Sequence, residues 1–105
     1  MVKIIQPLGI LDSVTGNRFR REIGDLVESG VKTVLIDCRH IELMDSSGLG
    51  ALVMSLKAMR AAGGRLCLCN VNEQLTMVFD LTGMSEVFEV FDSQAAFDQT
   101  VSAVS

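Results

Sequence analysis

Apolar positions along the chain alternate between short continuous runs and helical spacing. Ile4, Ile5, Leu8, Ile10 and Leu11 form an apolar stretch interrupted by Pro7 and ended by Asp12-Ser13. Proline supplies no ladder N–H, so the stretch reads as one kinked strand on a sheet edge. From Asn17 to Ser29, Phe19, Ile23, Leu26 and Val27 recur at helical offsets among Arg18, Arg20, Arg21, Glu22, Asp25 and Glu28. That pattern predicts an amphipathic helix, closed by Gly30. Thr33-Val34-Leu35-Ile36-Asp37 is a β-branched run of the kind buried on both faces of a parallel sheet. After a polar break, Ile41 to Met44 leads into a serine segment.

From Ser46 to Ala62, Leu49, Leu52, Val53, Leu56 and Met59 repeat at helical spacing until Gly63-Gly64 stops them. Arg65 to Cys69 reads as a strand. Asn72 caps a third helix whose inner face is Leu75, Val78 and Phe79 and which ends at Gly83. Val87, Phe88, Val90 and Phe91 suggest a short strand, and Ser93 caps a last helix presenting Phe97, Val101 and Val104. The order β-α-β-α-β-α-β-α predicts an α/β fold, a single domain over residues 1–105, with one mostly parallel sheet and about four helices.

Composition narrows the function classes. With 49% apolar and 21% charged residues the chain can offset the entropy of folding by burial. No apolar run approaches the ~18–20 residues needed to span a bilayer, and the start is too short and polar for a signal peptide, so a cytoplasmic chain with no direct membrane insertion is expected. A net charge of -4 and the absence of Trp and Tyr argue against nucleic acid as a partner. Cys38, Cys67 and Cys69 read as reduced, buried thiols. With His40 they could be drawn as four metal ligands, but the Cys-x-x-Cys knuckle is missing, and no metal or other cofactor is expected.

Catalytic constellations are poorly supplied. His40 is the one histidine and the one side chain that could act as a base toward Ser46 or Ser47. Gly48-Leu49-Gly50 lacks the rest of a dinucleotide fingerprint, and no Gly-Lys-Ser/Thr follows for a phosphate loop. Arg18, Arg20 and Arg21 alternate with acids and read first as a solvated helix face. The serine segment stands out because two adjacent hydroxyls lie where a helix begins, among free backbone N–H groups. Two readings are open there: Ser46 caps the helix, worth about 1 kcal/mol, or the helix N-terminus is a place where a kinase can add phosphate without melting the fold.

Val34-Leu35-Ile36-Asp37 followed by Met44-Asp45-Ser46-Ser47-Gly48-Leu49-Gly50-Ala51-Leu52 resembles the signature of the STAS domain, in particular its anti-sigma factor antagonist branch. Gly9-Ile10-Leu11-Asp12, Gly63-Gly64-Arg65-Leu66 and Leu81-Thr82-Gly83-Met84 resemble further landmarks, so that the likeness runs from about residue 4 to residue 98. The resemblance implies a STAS-like sheet of four strands, or five, and a partner-switching module with no enzymatic activity. Its partner would be a serine kinase of the histidine-kinase-like ATPase type that doubles as an anti-sigma factor. Phosphorylation at Ser46, with Ser47 as the second choice, would block binding, and a serine phosphatase would reverse it.

Asp12, Asp45, Ser46, Ser47 and Gly48 are the implied partner-binding residues. Relatives usually carry an extra strand before Gly-x-Leu-Asp, and only eight residues precede Gly9 here. A missing strand would expose an edge, so a monomer or weak homodimer is expected. Two other readings compete: a cytoplasmic STAS accessory subunit of a lipid or anion transport system, and nucleotide binding, against which the absent phosphate loop argues.

Overall fold

The structure is a computed structural model that describes the backbone of residues 2–104 and the side chains of residues 2–100. The first apolar stretch splits in two. Val2–Ile5 forms β1 and Gly9–Leu11 forms β2, separated by Gln6-Pro7-Leu8 and by a positive φ of 75° at Gly9. The extra N-terminal strand expected to be missing is therefore present, compressed into four residues. Helix α1 (Ser13–Glu28) follows, then β3 (Thr33–Asp37).

Ile41–Met44, expected only as a lead into the serine segment, is a strand, β4, and helix α2 spans Ser46–Ala61. The rest is β5 (Arg65–Cys69), α3 (Glu73–Thr82), β6 (Glu89–Phe91) and α4 (Gln94–Val104). Two caps are as expected: the Asn72 side chain accepts from the Leu75 N–H at 2.9 Å, and Ser93 Oγ accepts from Ala96 N–H at 3.1 Å. Gly83 closes α3 in the left-handed region at φ 74°, where a side chain would be strained. Phe97 of α4 is buried, as expected, while the side chains of Val101 and Val104, expected beside it, lie outside the described residues.

All pairings are parallel. β1-β3-β5-β6 form the predicted four-stranded sheet, and β2-β4 form a separate pair beside it. The single predicted sheet thus gains a two-stranded companion. β4 needs no third strand because α3 serves its outer edge: Asn72 Nδ2 donates to Ile41 O at 2.8 Å and Met44 N–H donates to Gln74 Oε1 at 3.3 Å.

Alternation along β3 and β5 sends side chains to both faces of the sheet. Val34, Ile36, Leu66 and Leu68 join Phe19, Ile23, Leu52, Leu56, Met59 and Leu75 in the main core, with α1, α2 and α3. Leu35, Cys67 and Cys69 face the other way under Phe97 of α4. The three thiols are thus buried and divided between the two faces, Cys38 lying in the main core. Burial pushes the Cys38 thiol up to about 12.

Two tight contacts set where α2 sits, one against β2 and one against α1. A Cβ on Gly48 would collide with the Leu11 carbonyl, lying 2.7 Å from its carbon, and a Cβ on Gly16 would lie 2.9 Å from the Cβ of Ala51. At the end of β3 the carboxylate of Asp37, 1% exposed, accepts from Gln6 Nε2 (2.7 Å), Asn70 Nδ2 (3.0 Å) and the Arg39 N–H (3.1 Å). Burial pulls this carboxyl upward, but the hydrogen bonds from Asn70, Gln6 and Arg39 together outweigh it and hold it below the ordinary 3.8. Asp37 thereby ties together the β1–β2 connection, β3 and the loop after β5.

Gly48→Ala should destabilise the protein by about 1–3 kcal/mol or more in urea unfolding. Gly24→Ala, in a helix with nothing within 4 Å of the new methyl, should stabilise it by about 0.5–1 kcal/mol. Equal effects at the two positions would remove the Leu11 contact as a constraint.

Asp37→Asn should cost about 1.5–3 kcal/mol at neutral pH. Because the folded-state carboxyl titrates below its unfolded value, its contribution is complete above that value, near 3.8, and is lost as pH falls through the folded one. The stability difference between wild type and variant should therefore begin to narrow below about pH 4 and close only as pH falls past the lower, folded-state value. A difference that persists unchanged to pH 2 would contradict the ionised clamp.

Candidate functional site

β2 and β4 run parallel and end side by side, Leu11 opposite Met44. The residue after each strand is an aspartate, and each aspartate begins a helix. Asp12 is the N-cap of α1: its Oδ1 accepts from the N–H groups of Val14 (3.0 Å) and Thr15 (3.1 Å), and its own N–H donates to Thr15 Oγ1 at 2.8 Å. This reciprocal box starts α1 at Ser13, four residues before the predicted beginning. The hydrogen bonds from Thr15, backbone and side chain, hold the Asp12 carboxyl below its ordinary value. Asp45 is the N-cap of α2, its Oδ1 accepting from the Gly48 N–H at 2.9 Å. Its N–H donates to Leu11 O at 3.2 Å, which joins the two caps across the strand pair.

The cap is therefore Asp45, and Ser46 is not needed for that purpose. Asp45, Ser46 and Ser47 are exposed and Gly48 is buried against Leu11. The sequence-predicted residues Asp12, Asp45, Ser46, Ser47 and Gly48 are thus brought to one rim at the carboxyl ends of β2 and β4. Their parts differ: Gly48 supplies close approach, Asp12 and Asp45 supply caps and negative charge, and the two serines supply exposed hydroxyls. Ser46 and Ser47 occupy the first helical turn, whose backbone N–H groups lack intrahelical partners.

His40 does not belong to this rim. It precedes β4, and the full length of that strand separates it from Asp45, so no Ser–His pair forms. The sequence also gave no sign of an apolar flank. Ile10 and Leu43 face each other across the β2–β4 register and are 48% and 45% exposed, and Val14, at the first turn of α1, is 66% exposed. Each sits within two residues of an N-cap aspartate. In the sequence these positions look like core residues; only the pairing of two short strands with one bare face distinguishes them. Apolar side chains left exposed beside polar ones are a common feature of protein-binding surfaces.

A family model described as the STAS domain matches residues 1–96. An anti-sigma-B factor antagonist of Bacillus subtilis is 32% identical over 82 residues, covering 78% of this chain and 74% of that protein. The structure of SpoIIAA, a Bacillus cell fate determinant, in its phosphorylated form superposes with a TM-score of 0.72 at 25% identity, over 94% of this chain and 90% of that one. A sulfate transporter family protein from Wolinella succinogenes shares the fold, with a TM-score of 0.82 at 21% identity over 99% and 88% of the two chains.

Proposed function

The chain belongs to the STAS domain family, and we propose that it is a partner-switching regulator of the anti-sigma factor antagonist kind. In its unphosphorylated form it binds a serine kinase of the histidine-kinase-like ATPase type that also serves as an anti-sigma factor. Phosphorylation of Ser46 blocks that binding, and a serine phosphatase reverses it. The chain works by binding and carries no reaction of its own.

The observation that carries this reading is the exposure of Ser46 directly after a cap that does not use it. Phosphate there would add about -1.5 to -2 charges. Free N–H groups and the positive end of the α2 dipole offset part of that charge, so the fold has no reason to yield. The partner sees a different surface. A protein fitted to a neutral hydroxyl between two capped carboxylates has nothing to pair with an added phosphate, and burying that charge unpaired costs several kcal/mol.

A second reading, an accessory subunit of a lipid or anion transport system, draws on the fold shared with the sulfate transporter family protein. Phosphate acceptance separates the two. With a histidine-kinase-like ATPase of the same genome and ATP, the chain should take up one phosphate, located on Ser46 by peptide mass mapping, and lose affinity for that kinase by about tenfold or more. Ser46→Ala should remain unmodified and bind continuously. Asp12→Asn should weaken binding by about tenfold while leaving the melting temperature nearly unchanged, since Asn caps about as well as Asp. Full phosphorylation of Ser46→Ala at Ser47 would contradict the acceptor assignment. Unchanged affinity in Asp12→Asn would take Asp12 out of the docking surface.

A further inference from the structure

Beyond the rim, α1 and α2 lie against each other along the Gly16–Ala51 contact, and further along they part into an open groove of about 670 Å³. Asn17, Arg20 and Arg21 line it from α1, and Met54, Lys57 and Ala58 from α2. The three cations stand out on a chain of net charge -4, since they are three of its nine Lys and Arg residues gathered in one concavity. Among the described residues the one ion pair is Arg65–Glu89, on the far strands β5 and β6, so no carboxylate bridges Arg20, Arg21 or Lys57. Asp25 follows Arg21 by one helical turn without closing to bridging distance. Two of the three arginines that looked in sequence like a solvated face, Arg20 and Arg21, meet Lys57 of α2 at this groove, and the exposed Met54 adds an apolar wall.

We infer that the α1/α2 groove is a second docking site, which takes an acidic, extended protein segment of a partner, its carboxylates on Arg20, Arg21 and Lys57 and an apolar side chain on Met54 and Ala58. Charge complementarity selects this occupant. A single-stranded nucleic acid would draw on base-stacking aromatics, and no aromatic side chain lines the groove. It would also run along α1 and α2 toward Asp12 and Asp45, two carboxylates that repel its phosphates. A membrane surface cannot follow a concavity between two helices. The docking surface is therefore electrically two-ended, negative at the rim and positive in the groove, which orients a partner of the opposite pattern. The inference does not rest on phosphorylation of Ser46.

The test needs no kinase and so fails or succeeds apart from the Ser46 reading. An end-capped decaglutamate peptide is titrated into the isotope-labelled full chain at low salt and followed by amide NMR shifts. The amides of Asn17, Arg20, Arg21, Met54 and Lys57 should move, and those of Asp12 and Asp45 should not. The response should be lost in the triple variant Arg20→Ala, Arg21→Ala, Lys57→Ala, whose unliganded spectrum verifies an intact fold. Absence of groove shifts in the wild type, or an equal response in the triple variant, would overturn the proposal. So would tighter binding in the groove of decathymidylate or of phosphatidylglycerol vesicles than of decaglutamate.

Discussion

The geometry of this protein turns on the approach of the α2 backbone to the end of β2, where Gly48 lies against the carbonyl of Leu11 with no room for a methyl group. A strand pair of only three and four residues has few hydrogen bonds to hold its register. The contact at Gly48, the Asp45 N–H bond to Leu11 O, and the meeting of Gly16 with Ala51 fix it from the helix side instead. Once those backbones touch, the two aspartates that follow the strands must begin their helices next to each other. The exposed position of Ser46 is a consequence of that packing.

Placing two carboxylates on one rim is electrostatically unfavourable, and the structure offsets it locally. Each aspartate spends its Oδ1 on helix N–H groups, and the positive ends of two helix dipoles point toward the same rim. The caps thus serve stability, and on the proposed reading they serve recognition as well. Removing the charge while keeping the cap separates these roles chemically, which is why asparagine rather than alanine is the informative replacement. Asp37 plays a structural part at the main sheet: its buried carboxylate accepts from three donors.

Much of this was legible in the sequence. Continuous apolar runs marked β3 and β5, Gly30 and Gly83 marked helix ends, and the Asp-Ser-Ser-Gly string marked the rim. What was not legible lies in a short strand whose identity depends on distant partners and in helix starts set by capping bonds that residue type alone does not assign. Ile41–Met44 is too brief for its period to declare a strand, and it becomes one by pairing with β2 and accepting side chains from α3. The start of α1 was hidden because Val14 is exposed and Gly16 is a helical glycine, tolerated since it meets Ala51. Ser46 and Asp45 are both good caps by type; the hydrogen bond to Gly48 assigns the role to Asp45 and leaves the serine hydroxyl exposed.

On the proposed reading, the rim changes its charge while the scaffold beneath it stays as it is. Amide hydrogen exchange, measured on the chain before and after stoichiometric phosphorylation, tests it most directly. Altered protection is expected only in the first turns of α1 and α2, around Asp12–Thr15 and Asp45–Leu49, with unchanged protection in β3 and β5. Loss of protection at Val34–Ile36 or Leu66–Leu68 would contradict it, because phosphate would then act by loosening the core.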